Sequence, residues 1–130
     1  MTRRDPPDLA ALDEAFAAAA PATVPDGHYT VVVVTVTLRR VHRTGAPMLC
    51  WALRVESPAF AAGRHLWRHL VLSPATLGWL KHDLRLCGLE LPRLSALPDC
   101  LDRLRGVRLE VAKRTRGDNY ALVVFRHRTA

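Results

Sequence analysis

Cysteine is scarce and badly placed for a framework. The three cysteines, Cys50, Cys87 and Cys100, are an odd number with no CxxC spacing. That excludes a disulfide scaffold and a zinc ribbon, and leaves buried thiols of a reducing compartment. No apolar run approaches the ~20 residues a bilayer-spanning helix needs. The stretch AFAAAAPA at 15–22 is too short for a signal peptide, and Asp5, Asp8, Asp13 and Glu14 precede it where a positive charge belongs. A cytoplasmic protein without membrane attachment is therefore expected. Catalytic signatures are missing too: there is no HxE, GxSxG or glycine-rich phosphate loop. Asp83, Glu90 and Asp118 form no evident carboxylate pair. His65 and His69, in a strand, would stand about 13 Å apart, too far for one ion. Neither a metal, a cofactor nor an enzyme is expected.

What the chain does have is positive charge. Its 130 residues carry nineteen Lys and Arg against twelve Asp and Glu, a net charge of +7. The distribution is uneven. Residues 1–28 hold two arginines and five acids, a net of −3, whereas residues 29–130 hold 17 basic and 7 acidic groups, a net of +10. So basic a body points to a polyanionic partner. All but two of the cations are arginine. A GC-rich genome produces that bias, and so does a need to fork phosphates and stack on bases.

Two regions emerge along the chain: an acidic helix and linker over 1–26, and a domain over 27–130. In the first, Asp5 is placed to cap a helix, Pro6 or Pro7 fits its first turn, and Leu9, Leu12 and Phe16 make one stripe. Pro21, Pro25 and Gly27 end it, and a lid or tether is the expected role. The period then changes to two. HYTVVVVTVTLRRV (28–41) predicts a strand with Val32, Val34, Val36 and Leu38 on one face and Thr35, Thr37 and Arg39 on the other. A second strand over 47–56 alternates Leu49, Trp51, Leu53 and Val55 with Met48, Cys50, Ala52 and Arg54, and a third runs from Arg64 to about Leu72. Ser73 with Pro74 announces a helix that Gly88 stops, with Leu77, Leu80, Leu84 and Cys87 inward. A proline-punctuated connector (89–106), with one helical turn around Pro98 to Leu104, leads to two more strands. These are RGVRLEVAKR and 119–128, joined by a hairpin over 114–119 with Gly117 and Asn119 as turn residues. An all-β fold with one inserted helix follows. The order β-β-β-α-β-β is that of a five-stranded OB-fold barrel, with an SH3-like barrel as the competitor.

The succession GHYTVVVVTVTLRR, TGAPMLCWALRVESPAFAAGRHLWRHLVLSPATLGWLKHDLRLCGL and LDRLRGVRLEV resembles a family of phage-type single-stranded-DNA-binding OB-fold proteins. Many of its members are catalogued only as a domain of unknown function. The likeness covers roughly residues 26–127. Its markers are Gly27–Tyr29 opening the first strand, the Ala62-Gly63-Arg64 turn, the LSPATLGWLK helix and Leu104-Arg105-Gly106-Val107. The chain departs from the family in ending on Arg126-His127-Arg128, where members are often acidic. The resemblance implies a non-catalytic protein that binds single-stranded DNA in replication or recombination, alongside other proteins of those processes.

An OB barrel that binds single strands uses the outer face of strands two and three and the loops joining strands 1–2 and 4–5. Arg39, Arg40, His42 and Arg43 fall at the first loop; Lys113, Arg114 and Arg116 fall at the second. Arg54 adds a cation on strand two. Exposed loops attract charge anyway, but here both of the relevant loops carry it. In strand three, His65, Trp67 and His69 share a face opposite Leu66, Leu70 and Leu72, which makes Trp67 the stacking candidate. The competing reading has Trp67 covered by the N-terminal helix. Arg68 shares parity with the leucines, which calls for either a bulge or a different strand register. Trp51, in phase with Leu49 and Leu53, belongs to the core, and Trp79 packs at the helix edge. Tyr29 and Tyr120 suit either a barrel cap or a stacking site. RNA is the alternative ligand, and an OB-like adaptor that binds another protein is the alternative function.

Overall fold

The computed structural model describes residues 8–18, 24–116 and 120–129. Five strands form one antiparallel sheet: β1 (Gly27–Arg40), β2 (Pro47–Ser57), β3 (His65–Val71), β4 (Arg108–Arg116) and β5 (Tyr120–Arg128). Their spatial order is β3-β2-β1-β4-β5, with β1 shared between two ladders. Its first part pairs with β4, Gly27 opposite Lys113 through Val32 opposite Arg108. Most of its length pairs with β2, out to Arg40 opposite Pro47. The expected all-β arrangement with a helix between the third and fourth strands is present.

The phase of β1 is not the one its sequence suggests. Tyr29, Val31 and Val33 are buried, Val34 is half-buried, Thr35 is exposed and Val36 is buried again. The register with β2 slips between Val33 and Thr35, so Val34 is the extra residue of a bulge. Val32 and Val34 therefore do not share a face with Val36. The slip also decides the chemistry of the outer face. Unbroken alternation from Val31 and Val33 would turn Thr35, Thr37 and Arg39 into the core; the bulge turns all three outward.

On β2 the expected alternation is complete. Leu49, Trp51, Leu53 and Val55 are buried, and the Trp51 ring meets Phe125 of β5 edge-on at 4.9 Å between centroids. Helix α2 (Leu77–Leu86) seals one end of the core with Leu80 and Leu84, and Cys87 follows them inward. Burial pushes the Cys87 thiol up to about 12. Ser73 does not cap this helix. Residues 73–76 form a separate turn, in which the Thr76 hydroxyl accepts the Ser73 N–H at 3.0 Å and bonds the Val71 carbonyl at 2.6 Å. The connector is helical over a longer stretch than the sequence predicts. It is a 3-10 segment over Leu94–Leu104 that drives Leu97 and Leu104 into the core.

Arg68 requires neither a bulge nor a shifted register. It points inward with its neighbours and is 8% exposed. Its Nε donates to Asp83 of α2 at 2.9 Å, its Nη1 donates to the Val123 carbonyl of β5, and its guanidinium lies over the Phe125 ring at 4.9 Å. One side chain thus joins the two outermost strands of the sheet to the helix. Asp83, fully buried, has its carboxyl pushed up by burial, with Arg68 and then His82 pulling it back.

Among the described residues, a short helix α1 (Asp13–Ala18) follows a 3-10 turn at Ala10–Leu12. The Asp8 carboxylate accepts the Ala10 N–H there at 3.0 Å. Asp5, Pro6, Pro7 and Pro21, assigned above to the helix and its end, lie outside the described residues, as do Gly117 and Asn119 of the last hairpin.

Candidate nucleic-acid interface

The outer faces of β1, β2 and β3 line up in rows. Thr35 lies opposite Ala52, and Ala52 opposite Trp67; Thr37 lies opposite Cys50, and Cys50 opposite His69. Arg39 opposite Met48 opposite Val71 makes the row nearest the β1–β2 turn, and Arg54 opposite His65 makes the far one. Small residues on the middle strand between larger ones on its neighbours make a trough. Ala52 and Cys50 floor it, Thr35, Thr37 and Arg39 form one wall, and His65, Trp67 and His69 form the other. Its volume is about 340 Å³.

Trp67 is 56% exposed, so the N-terminal helix does not cover it. The His65 ring is stacked beside it, 6.2 Å between centroids with planes 23° apart. No lining residue is a carboxylate. Three acids of the described body are engaged elsewhere: Glu56 with Arg108 at 2.7 Å, Asp83 with Arg68, and Glu110 with His127 at 2.9 Å. The Cys50 thiol is pushed up by burial, with Arg39 drawing it part of the way back, so the floor is uncharged at neutral pH.

The two basic loops sit at opposite ends of β1, Arg39 and Arg40 at its last residues and Lys113 beside its first. Along the flat sheet they are far apart. Successive antiparallel pairings make β3 and β5 parallel, and the Arg68 bond to Val123 brings those two strands together. The start of β5, with the end of β4 paired to it, therefore lies toward the His65 end of β3. The β1–β2 turn stands at the Val71 end. The stripe His65-Trp67-His69 thus runs from one loop toward the other.

The candidate cations are not equivalent. Arg39, Arg40, Arg43, Arg54, Arg114 and Arg116 are exposed. Lys113 is different. Its side chain is 12% exposed; it donates to the Val24 carbonyl at 2.6 Å and lies 3.6 Å from Asp26. It holds the linker to β4 and is not available as a free phosphate contact. Asp26 completes that latch, accepting the Thr115 N–H at 2.9 Å and the Thr115 hydroxyl at 2.7 Å. Alternation puts Thr35 and Thr37 on one face of the first strand and Cys50 and Ala52 on one face of the second, but it does not show that they meet as wall and floor, because the partner of each is set by register. Trp79 is 54% exposed and packs less than expected, touching His82 edge-on. Tyr29 is a core residue whose hydroxyl donates to the Pro25 carbonyl. The side chain of Tyr120 lies outside the described residues.

The Asp26 latch predicts a local pH response. The Thr115 N–H and hydroxyl, then Lys113, hold the Asp26 carboxyl below the ordinary aspartate value of 3.8. A lowered carboxyl stabilises the folded form above that ordinary value and loses its contribution as pH falls through the folded one. Thr115 amide exchange, corrected for intrinsic rate, should therefore keep its protection from neutral pH to about 4 and lose it in more acid solution. In Asp26→Ala, which has no acceptor, the loss should be present at every pH.

No curated protein and no solved structure matches the chain. One family model does, that described as a protein of unknown function (DUF669), over residues 12–130, and the chain belongs to that family.

Proposed function

We propose that the protein binds single-stranded DNA, without catalysis, in the trough between β1 and β3, and that it acts in replication or recombination. The observation that carries this reading is Trp67: a half-exposed indole beside a stacked histidine, in a trough without carboxylates and near arginines at either end. Every base has an aromatic face, so such a platform takes single strands of any sequence. The 6.2 Å between His65 and Trp67 is close to twice the 3.4 Å rise per nucleotide, so a small opening would admit one base between the rings. Arg39 and Arg43 would meet phosphates at the end by the β1–β2 turn, and Arg54, Arg114 and Arg116 those at the His65 end. The OB reading of the fold is part of the same proposal. Support for it comes from the strand order, from β3 and β5 running parallel and meeting at Arg68, and from the helix sealing the end between them.

The test compares fluorescent oligo-dT, oligo-U and duplex DNA of equal length. The trough needs unpaired bases, so oligo-dT should bind more tightly than duplex. Equal binding of duplex would make the arginines a general phosphate patch. Tighter oligo-U would make RNA the ligand, and binding of none at low salt would leave the adaptor function.

A further inference from the structure

A second groove shares no residue with the trough. Its volume is about 360 Å³, within the range of ligand-binding clefts, and it runs between α2 and the start of the connector. Leu77, Leu84, Leu91 and Leu94 make it apolar, and Leu94 is 43% exposed. Lys81, Arg85 and Arg93 make its rim basic, offset only by Glu90, which lies 3.8 Å from Arg85.

The chain carries a segment of complementary character. Residues 8–18 contain Asp8, Asp13 and Glu14 and no cation. Leu9, Leu12 and Phe16, the apolar stripe of that segment, are 63%, 60% and 83% exposed. Three large apolar side chains at helical spacing, left in water, are what an amphipathic helix presents to a groove. All of residues 8–18 are exposed, so the segment does not occupy the groove of its own body. Val24 leaves the body at the Lys113 end of β4. The groove lies beside Gly88, where the Arg128 guanidinium fills the space a side chain would take, and Arg128 pairs with Leu109 toward the other end of that strand.

We propose that residues 8–18 dock in the α2–connector groove of a second copy of this chain. Leu12 and Phe16 enter between the leucines, and Asp13 and Glu14 meet Lys81 and Arg93. Reciprocal exchange of the two segments closes a twofold dimer with the same contact made twice. Neither surface belongs to the trough, so the dimer stands or falls independently of nucleic-acid binding.

Sedimentation velocity on the full chain, from micromolar to near-millimolar concentration, tests this. A concentration-dependent dimer is expected, weakened by salt because its charges are exposed. Leu12→Ser with Phe16→Ser alters only exposed residues, so the fold, followed by circular dichroism, should persist while dimerisation weakens at least tenfold, as for a lost interface anchor. Asp13→Lys with Glu14→Lys should likewise abolish the dimer, and adding Lys81→Glu with Arg93→Glu should restore it. Three results would overturn the proposal. One is a monomer at all concentrations, including one whose residues 8–18 are protected from amide exchange by docking on their own body. The second is a dimer indifferent to Leu12 and Phe16, and the third is failure of the charge exchange to restore it.

Discussion

Asp83→Ala should lower the unfolding free energy by about 3–5 kcal/mol, because it leaves the Arg68 guanidinium buried without its counter-charge. Both partners are shielded from water, Arg68 at 8% and Asp83 at 0% exposure. The charge of Asp83 is not itself a gain for the fold: burial raises its carboxyl more than Arg68 and His82 together lower it. Attraction within the pair only repays the removal of two charges from water. Replacing both, as Arg68→Met with Asp83→Leu, should therefore recover part of the loss. A remainder of about 1–3 kcal/mol should persist, since the Val123 carbonyl then loses its donor. Urea unfolding of the two single variants and the double variant measures this. A double variant as unstable as Asp83→Ala would show that the pair does more than neutralise itself. The same Arg68 also bonds the Val123 carbonyl, so the pair ties β3 and β5 to the helix.

The second large effect separates two tryptophans on adjacent strands. Trp67→Ala should weaken oligo-dT binding by about 1–3 kcal/mol, the contribution of one stacked base, and leave stability nearly unchanged. Trp51→Ala should cost roughly 3–5 kcal/mol of stability, because a fully buried indole packed on Phe125 leaves a cavity behind. Binding titrations and unfolding curves on both variants check this. Loss of stability in Trp67→Ala without loss of binding would remove the stacking platform from the proposal.

How far the sequence foretold these roles depends on where each residue's partners lie. Trp51 and Trp67 are legible by parity alone: one alternates in phase with leucines, the other with histidines. The bulge at Val34 is not legible, because Val31 to Val34 are four identical residues and a change of phase within them leaves no mark. Arg68 stood out as an anomaly whose solution is two long-range contacts, Asp83 fifteen residues away and Val123 fifty-five. Lys113 looked like its arginine neighbours. Only the fold shows that its ammonium is taken up by the linker it holds. The N-terminal stripe of Leu9, Leu12 and Phe16 was visible in the periodicity, but periodicity says only that an apolar face exists, not what meets it.

The two-loop trough is tested most directly by the salt dependence of oligo-dT binding. Single-strand binding releases counterions, so log K should fall with log salt at about −0.7 per neutralised phosphate, or near −3 to −4 for four to six contacts. Replacing Arg43 and Arg114 together, one at each loop, should make the slope shallower by roughly 1.4. Affinity should fall about equally for every sequence, since phosphate contacts carry no sequence information. Arg103 and Arg105 are exposed at the end of the 3-10 segment that packs on the inner side of the sheet, and serve as the charge-matched control. Both double variants remove two positive charges, so a long-range field would change them alike. A shallower slope in the loop variant alone is the predicted result; equal changes in the two variants would contradict a site built from the two loops.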